Sequence, residues 1–190
     1  MDLKNISARK IGGILNVLVT VTLVCNFAAL LLVPAFVALK GNLVELMDMW
    51  HDPYYPIHPV VFIFAMWPNI VLTADSYARV LTAFLFFSGC CTAVILWQAR
   101  RVLKTILRGE PFSPENAVSL NRAAAGCFLI AGAALARVVF SIFYYRSPLP
   151  LATYNALFVP MFTMGGLLCL VMSALFRQAA ELKAENDLTI

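Results

Sequence analysis

The chain has 190 residues, of which 62% are hydrophobic and only 13% charged, with a mean hydropathy of +0.84 and a formal net charge of +4. A soluble domain carries about 45–50% apolar and about 25% charged residues, and one of this length could not hide so much apolar surface from water. A soluble enzyme, a disordered chain and a secreted disulfide scaffold are therefore excluded, and an integral membrane protein remains.

In chain order, charges punctuate long apolar stretches. Between Lys10 and Lys40 lie 29 uncharged residues, between Arg79 and Arg100 lie 20, and between Arg146 and Arg177 lie 30. A helix needs about 20 apolar residues to cross the hydrocarbon core. A fourth stretch, Ala123 to Tyr145, is interrupted once, by Arg137. The expected spans are thus about 11–37, 78–99, 123–145 and 153–176, in one membrane domain covering 1–190. The first has a basic leader, but its apolar run is longer than a signal-peptide core, so an uncleaved anchor is expected.

The segment 41–75 is expected to stay on the outer side. Its apolar part, Val60 to Trp67, is too short to cross, and the segment carries Pro53, Pro56, Pro59 and Pro68. Parity supports this. With four spans and the N-terminus inside, Lys4, Arg9, Lys10, Arg100, Arg101, Lys104, Arg108, Arg122, Arg177 and Lys183 are cytoplasmic, while only Lys40, Arg79 and Arg146 are outside. That asymmetry follows the positive-inside rule, and a fifth span would reverse it. Residues 60–73 are then an interfacial or re-entrant piece. Within 41–75, Leu43, Leu46, Met47 and Trp50 follow helical spacing, with Glu45, Asp48, His51 and Asp52 beside them. The spacing matches no strong zinc pattern, and no metal or other cofactor is expected. The five cysteines all fall in spans and read as small apolar fillers.

The second span continues past the membrane. Arg100, Lys104 and Arg108 recur every four residues, opposite Val102, Leu103, Ile106 and Leu107, a helix with a basic and an apolar stripe. Gly109 suits a C′ position of positive φ. Ser113 suits an N-cap and Pro114 the first helical position, with Glu115 favoured in the first turn. The connector 100–122 is therefore expected to be a tight cytoplasmic helical hairpin. The tail 177–190 continues the last helix with Arg177, Glu181, Lys183, Glu185 and Asp187. Its acids could dock on the basic connector or share a partner with it. Arg101, Lys104, Arg108, Gly109, Pro111, Phe112, Glu115, Asn116, Glu181, Glu185 and Asp187 form the candidate partner-binding set.

The connector Gly109-Glu110-Pro111-Phe112-Ser113-Pro114-Glu115-Asn116 resembles the G-x-P-F-x-x-E-N connector of the bacterial membrane family called domain of unknown function 2975. The ending from Leu182 to Ile190 is similar to that family's C-terminus, and the four-span layout agrees. The resemblance implies no established enzymatic activity. It implies a neighbourhood of small helix-turn-helix regulators of the Xre type, and hence a membrane-bound partner or controller of a transcription factor.

Arg137 stands near mid-membrane toward the outer side, where a charge costs about 2.5–3.5 kcal/mol on insertion scales. No acid lies within a span, so its expected neighbours are Asn26, Asn155 or Tyr154, or Asp75 if the outer segment dips inward. It could form an anion or headgroup site, or it could snorkel or tie the helices together. Gly126, Gly132, Ala133, Ala136, Gly165 and Gly166 are expected to let helices approach.

The expected fold is all-α, an integral membrane four-helix bundle with cytoplasmic helix extensions and both termini in the cytoplasm of a bacterium. The first function expected is non-enzymatic, regulatory or sensory, with a cytoplasmic helix-turn-helix partner. The rivals are a small transporter or lipid- or anion-binding protein centred on Arg137, and a structural subunit of a membrane complex. Expected partners are the bilayer and further copies of the chain. No direct contact with nucleic acid is expected, because no compact basic domain with aromatic platforms is present.

Overall fold

The computed structural model describes residues 3–52, 57–110 and 112–188. It is all-α among those residues. The helices are α1 (Leu3–Ala38), α2 (Leu43–His51), α3 (Pro59–Leu72), α4 (Ser76–Leu107), α5 (Pro114–Tyr145) and α6 (Tyr154–Leu188), with one 3₁₀ turn at Leu149–Ala152. Four of them, α1, α4, α5 and α6, are long and apolar enough to cross a membrane. At 32 residues each, α4 and α5 are about 48 Å long. That exceeds the roughly 30 Å hydrocarbon layer. Helix α3, at 14 residues, rises about 21 Å and is too short to cross.

The long helices pack as sequential neighbours. Helix α1 lies on α4, α4 on α5, and α5 on α6, with α1 and α6 at the two ends of the row. Each seam has a glycine facing a bulky side chain. A Cβ on Gly89 would come within 2.5 Å of Leu30, one on Gly126 within 2.9 Å of Ile95, and one on Gly166 within 3.0 Å of Phe128. Without a hydrophobic force between helices in lipid, such close fits supply the dispersion energy of association. Gly132 behaves otherwise than expected. It is exposed and meets nothing, and Ala136 is also exposed. That stripe of α5 faces outward because the helix turns its other side, including Ile130 at 0% exposure, toward α4 and α6.

Helix α3 lies against α1 and α4. Trp67 Nε1 donates to the Leu31 carbonyl at 3.3 Å, and its ring meets Phe86 edge-on at 5.4 Å. At the same end of the row, Tyr77 packs with Tyr144 at 5.7 Å and Tyr145 at 5.5 Å. This aromatic end carries the α1–α4 and α5–α6 connections. The opposite, basic end carries the α4–α5 hairpin and the described ends of α1 and α6.

Candidate functional site

The hairpin is built by local rules. After Arg108, Gly109 takes φ +88°, and the amides of Gly109 and Glu110 bond the carbonyls of Ile106 and Thr105, each at 3.1 Å. This Schellman closure satisfies carbonyls that the helix end leaves free. Ser113 then caps α5, its Oγ accepting from the Glu115 amide at 3.3 Å. Below the turn, Thr105 donates from Oγ1 to Asn116 Oδ1 at 2.6 Å, and Asn116 is only 1% exposed. Ser173 of α6 donates to the Ala117 carbonyl at 2.7 Å, and Phe112 meets Phe176 at 6.3 Å. Helices α4, α5 and α6 are thereby locked to one another at the basic end.

On this platform Arg101, Lys104 and Arg108 line one hollow of 190 Å³ with Thr105, Glu115, Asn116 and Ser119. Spacing of three, four and seven residues puts the three cations on one helix face. Arg101, singled out in the sequence with Lys104 and Arg108, is the cation that lines the hollow with them. Arg100 lies outside the hollow, half-buried, with its Nε shielded from solvent. Of the remaining hairpin residues singled out in the sequence, Gly109 makes the turn and Phe112 is half exposed beside it. Pro111 lies outside the described residues. In the tail, Glu181 accepts from Arg177 Nε at 3.2 Å, in a pair whose side chains are 77% and 63% exposed. Such a pair contributes little to stability. Glu185 is exposed on the same helix, and the side chain of Asp187 lies outside the described ones.

The second constellation is near the aromatic end. Arg137 is half-buried on α5, and its guanidinium lies over the Phe84 ring, 4.8 Å from the centroid. Phe158 of α6 meets that ring edge-on at 6.5 Å. Arg137 and Asn155 line the same cavity of 420 Å³, which reaches toward the α5–α6 connection at Ser147 and Leu149. Asn26 is elsewhere. It is on α1, which packs on α4, and its Oδ1 is buried without a partner. Tyr154 is exposed and does not line the cavity. Asp75 caps α4, accepting from the Ala78 amide at 3.2 Å, and it also accepts from the Tyr144 hydroxyl at 3.3 Å. It borders a separate hollow of 760 Å³, with Lys40, Asn69 and Thr73 on its polar side and Phe36, Ile70 and Leu81 on its apolar side. Tyr77 and Tyr145 border both cavities. Composition gives no hint of this larger hollow, because it arises from the fold of the segment between α1 and α4. Among the described residues no group of three or more His, Cys, Asp or Glu side chains is gathered as a metal would need.

A sequence-family model described as a protein of unknown function, DUF2975, matches residues 54–190. The match takes in α3 to α6 and leaves α1 and α2 outside it. No curated protein matches the chain, and no solved structure does.

Proposed function

The chain belongs to the DUF2975 family of proteins of unknown function, and on that premise we propose that it is a non-enzymatic regulatory or sensory protein of the bacterial cytoplasmic membrane. In this reading the basic end faces the cytoplasm and holds a partner on the α4–α5 hairpin. The observation that carries it is the convergence of Arg101, Lys104 and Arg108 on one hollow beside Glu115 and Asn116. Each exposed cation contributes little alone. Three fixed on a locked platform give electrostatic steering and orientation, and exposed Phe112 next to them offers the aromatic anchor that interfaces favour. An acidic segment of a cytoplasmic protein fits this chemistry. The partner class is a small helix-turn-helix regulator, the one implied by the family's connector and tail. Helices α4 and α5 run unbroken from this end to the cavity of Arg137, so a ligand bound in the membrane that shifts their packing would alter the hairpin.

A photoreactive group placed at Glu185 of the full chain in native membranes tests this, with captured species identified by mass spectrometry. Capture of a small DNA-binding protein is expected. It should be lost when Arg101, Lys104 and Arg108 are all changed to Gln, with Arg100 and Arg122 kept to preserve the topogenic charge. Removing Leu182–Ile190, with the photoreactive group moved to Phe112, should also abolish capture. Capture of only membrane lipid, of further copies, or of a partner indifferent to both changes would overturn the proposal. The second reading, a protein built around a ligand of Arg137, is favoured by that guanidinium having no ionic partner among the described residues. Four helices in a row enclose no pathway of their own, so transport would require several copies.

A further inference from the structure

The guanidinium of Arg137 has no hydrogen-bonding or ionic partner among the described residues. Its flat face lies instead over the ring of Phe84, 4.8 Å from the centroid. A cation–π contact occupies the flat face of a guanidinium and leaves the five N–H donors at its edge free. Those donors are not sealed in packing: Arg137 is half-buried and lines both the 420 Å³ cavity and, on the Phe84 side, an apolar hollow of 290 Å³.

The cavity wall explains what sign of ligand it would take. It contains no carboxylate. The nearest acid in the region, Asp75, is spent on the α4 cap and the Tyr144 hydroxyl and borders the other hollow. Two hydroxyls of the wall already donate elsewhere, Ser141 to the Arg137 carbonyl at 2.9 Å and Thr153 to the Pro150 carbonyl at 2.7 Å. The Asn155 amide makes no hydrogen bond among the described residues and so adds a further donor. The site therefore offers one permanent positive charge, a planar fork of donors and an amide, with no internal counter-charge. A fork of that shape pairs with two oxygens of a single oxyanion.

The depth is also informative. Arg137 is eight residues before Tyr145, about 12 Å along the helix, and the cavity bridges that distance to the connection at Ser147. The cavity thus runs from the guanidinium toward the α5–α6 connection. We propose that this cavity is a binding site for a phosphate-type oxyanion, the charged headgroup of an anionic phospholipid or free phosphate, held by Arg137 and Asn155. The site stands independently of the hairpin and its partner.

The test uses the full chain purified in dodecyl maltoside, a detergent without an oxyanion. One arm adds phosphatidylglycerol and counts bound lipid by native mass spectrometry. The other adds inorganic phosphate and measures heat of binding. The wild-type chain should retain one ligand in one of the arms, and the arm that saturates names the source. Arg137→Gln should weaken that ligand about tenfold or more, as expected for loss of charge-assisted bonds. Arg137→Lys should lie between, since a point charge replaces a fork. Asn155→Ala should weaken binding about threefold to tenfold while leaving the charge in place. Arg137→Gln removes an intramembrane charge, so insertion is not threatened, and Asn155→Ala gives a second independent reading. Binding of neither oxyanion, or binding equal in wild type and both variants, overturns the proposal and leaves Arg137 as an arginine that snorkels or ties the helices.

Discussion

Replacing Arg137 with Leu should make the empty protein more stable. An arginine near mid-membrane costs about 2.5–3.5 kcal/mol on insertion scales. What the structure returns against that cost is one cation–π contact with Phe84 at 4.8 Å, worth at most about 2 kcal/mol when desolvated. No hydrogen bond or ion pair of the described residues adds to it. The balance favours leucine by about 0.5–1.5 kcal/mol, or roughly 2–13-fold in the unfolding equilibrium. Unfolding by dodecyl sulfate titration from maltoside micelles, free of phosphate and added lipid, reads this directly. Wild type should gain stability when its oxyanion is supplied, as any ligand of the folded state provides, and Arg137→Leu should not. A leucine variant less stable than wild type by about 1 kcal/mol or more would refute the reasoning. The arginine would then be an internal tie between helices.

Other substitutions separate backbone from packing. Gly109→Ala should destabilise the hairpin by about 1–2 kcal/mol, because φ is +88° there and an L side chain resists it. Gly13→Ala, which also meets open space but lies in α1, should be neutral or slightly stabilising through helix propensity, and thermal unfolding of the pair checks both signs. Gly89→Leu should part α1 from α4, since even a Cβ would lie 2.5 Å from Leu30. The loss should be about 1–3 kcal/mol, read as lower crosslinking between cysteines engineered on α1 and α4 with α5–α6 crosslinking unchanged. Ser173→Ala should cost about 0.5–1.5 kcal/mol by removing the 2.7 Å bond to the Ala117 carbonyl, measured by the same unfolding titration.

Local signals were readable in the chain, and relative rotations were not. Gly109, Ser113 and Pro114 announce the hairpin because capping depends on a few adjacent residues, and the structure closes the turn at those positions. Helix lengths follow from the spacing of charges, and the proline-rich segment yields the short α3. The pairing of Arg137 with Asn155 in one cavity follows from the short connection between α5 and α6. Asn26 is not in that cavity because it depends on which helix α1 chooses, and four equally apolar spans do not specify neighbours. The same blindness explains Gly132 and Gly89. Both are small residues in a span, but a helix must be rotated before either faces a partner. Arg100 and Arg101 differ by one residue and therefore by about 100° around the axis; the four-residue spacing runs through Arg100, while Arg101, grouped with Lys104 and Arg108 in the candidate partner-binding set, lines their hollow.

The sequential packing of the long helices also sets an order of assembly. Helix α5 meets α4, its immediate predecessor, and α6 meets α5, so each can dock as it leaves the ribosome, like repeats added to a growing stack. The first helix has no such convenience. Its broad partner, α4, begins only at Ser76, so until then α1 has only the short α3 to lie against. A helix that can wait is one that is independently stable in the bilayer, as the two-stage view of membrane folding requires. The family match begins at residue 54, after that helix. Helix α1 occupies one edge of an open row, where it can be added without rearranging the contacts among α4, α5 and α6.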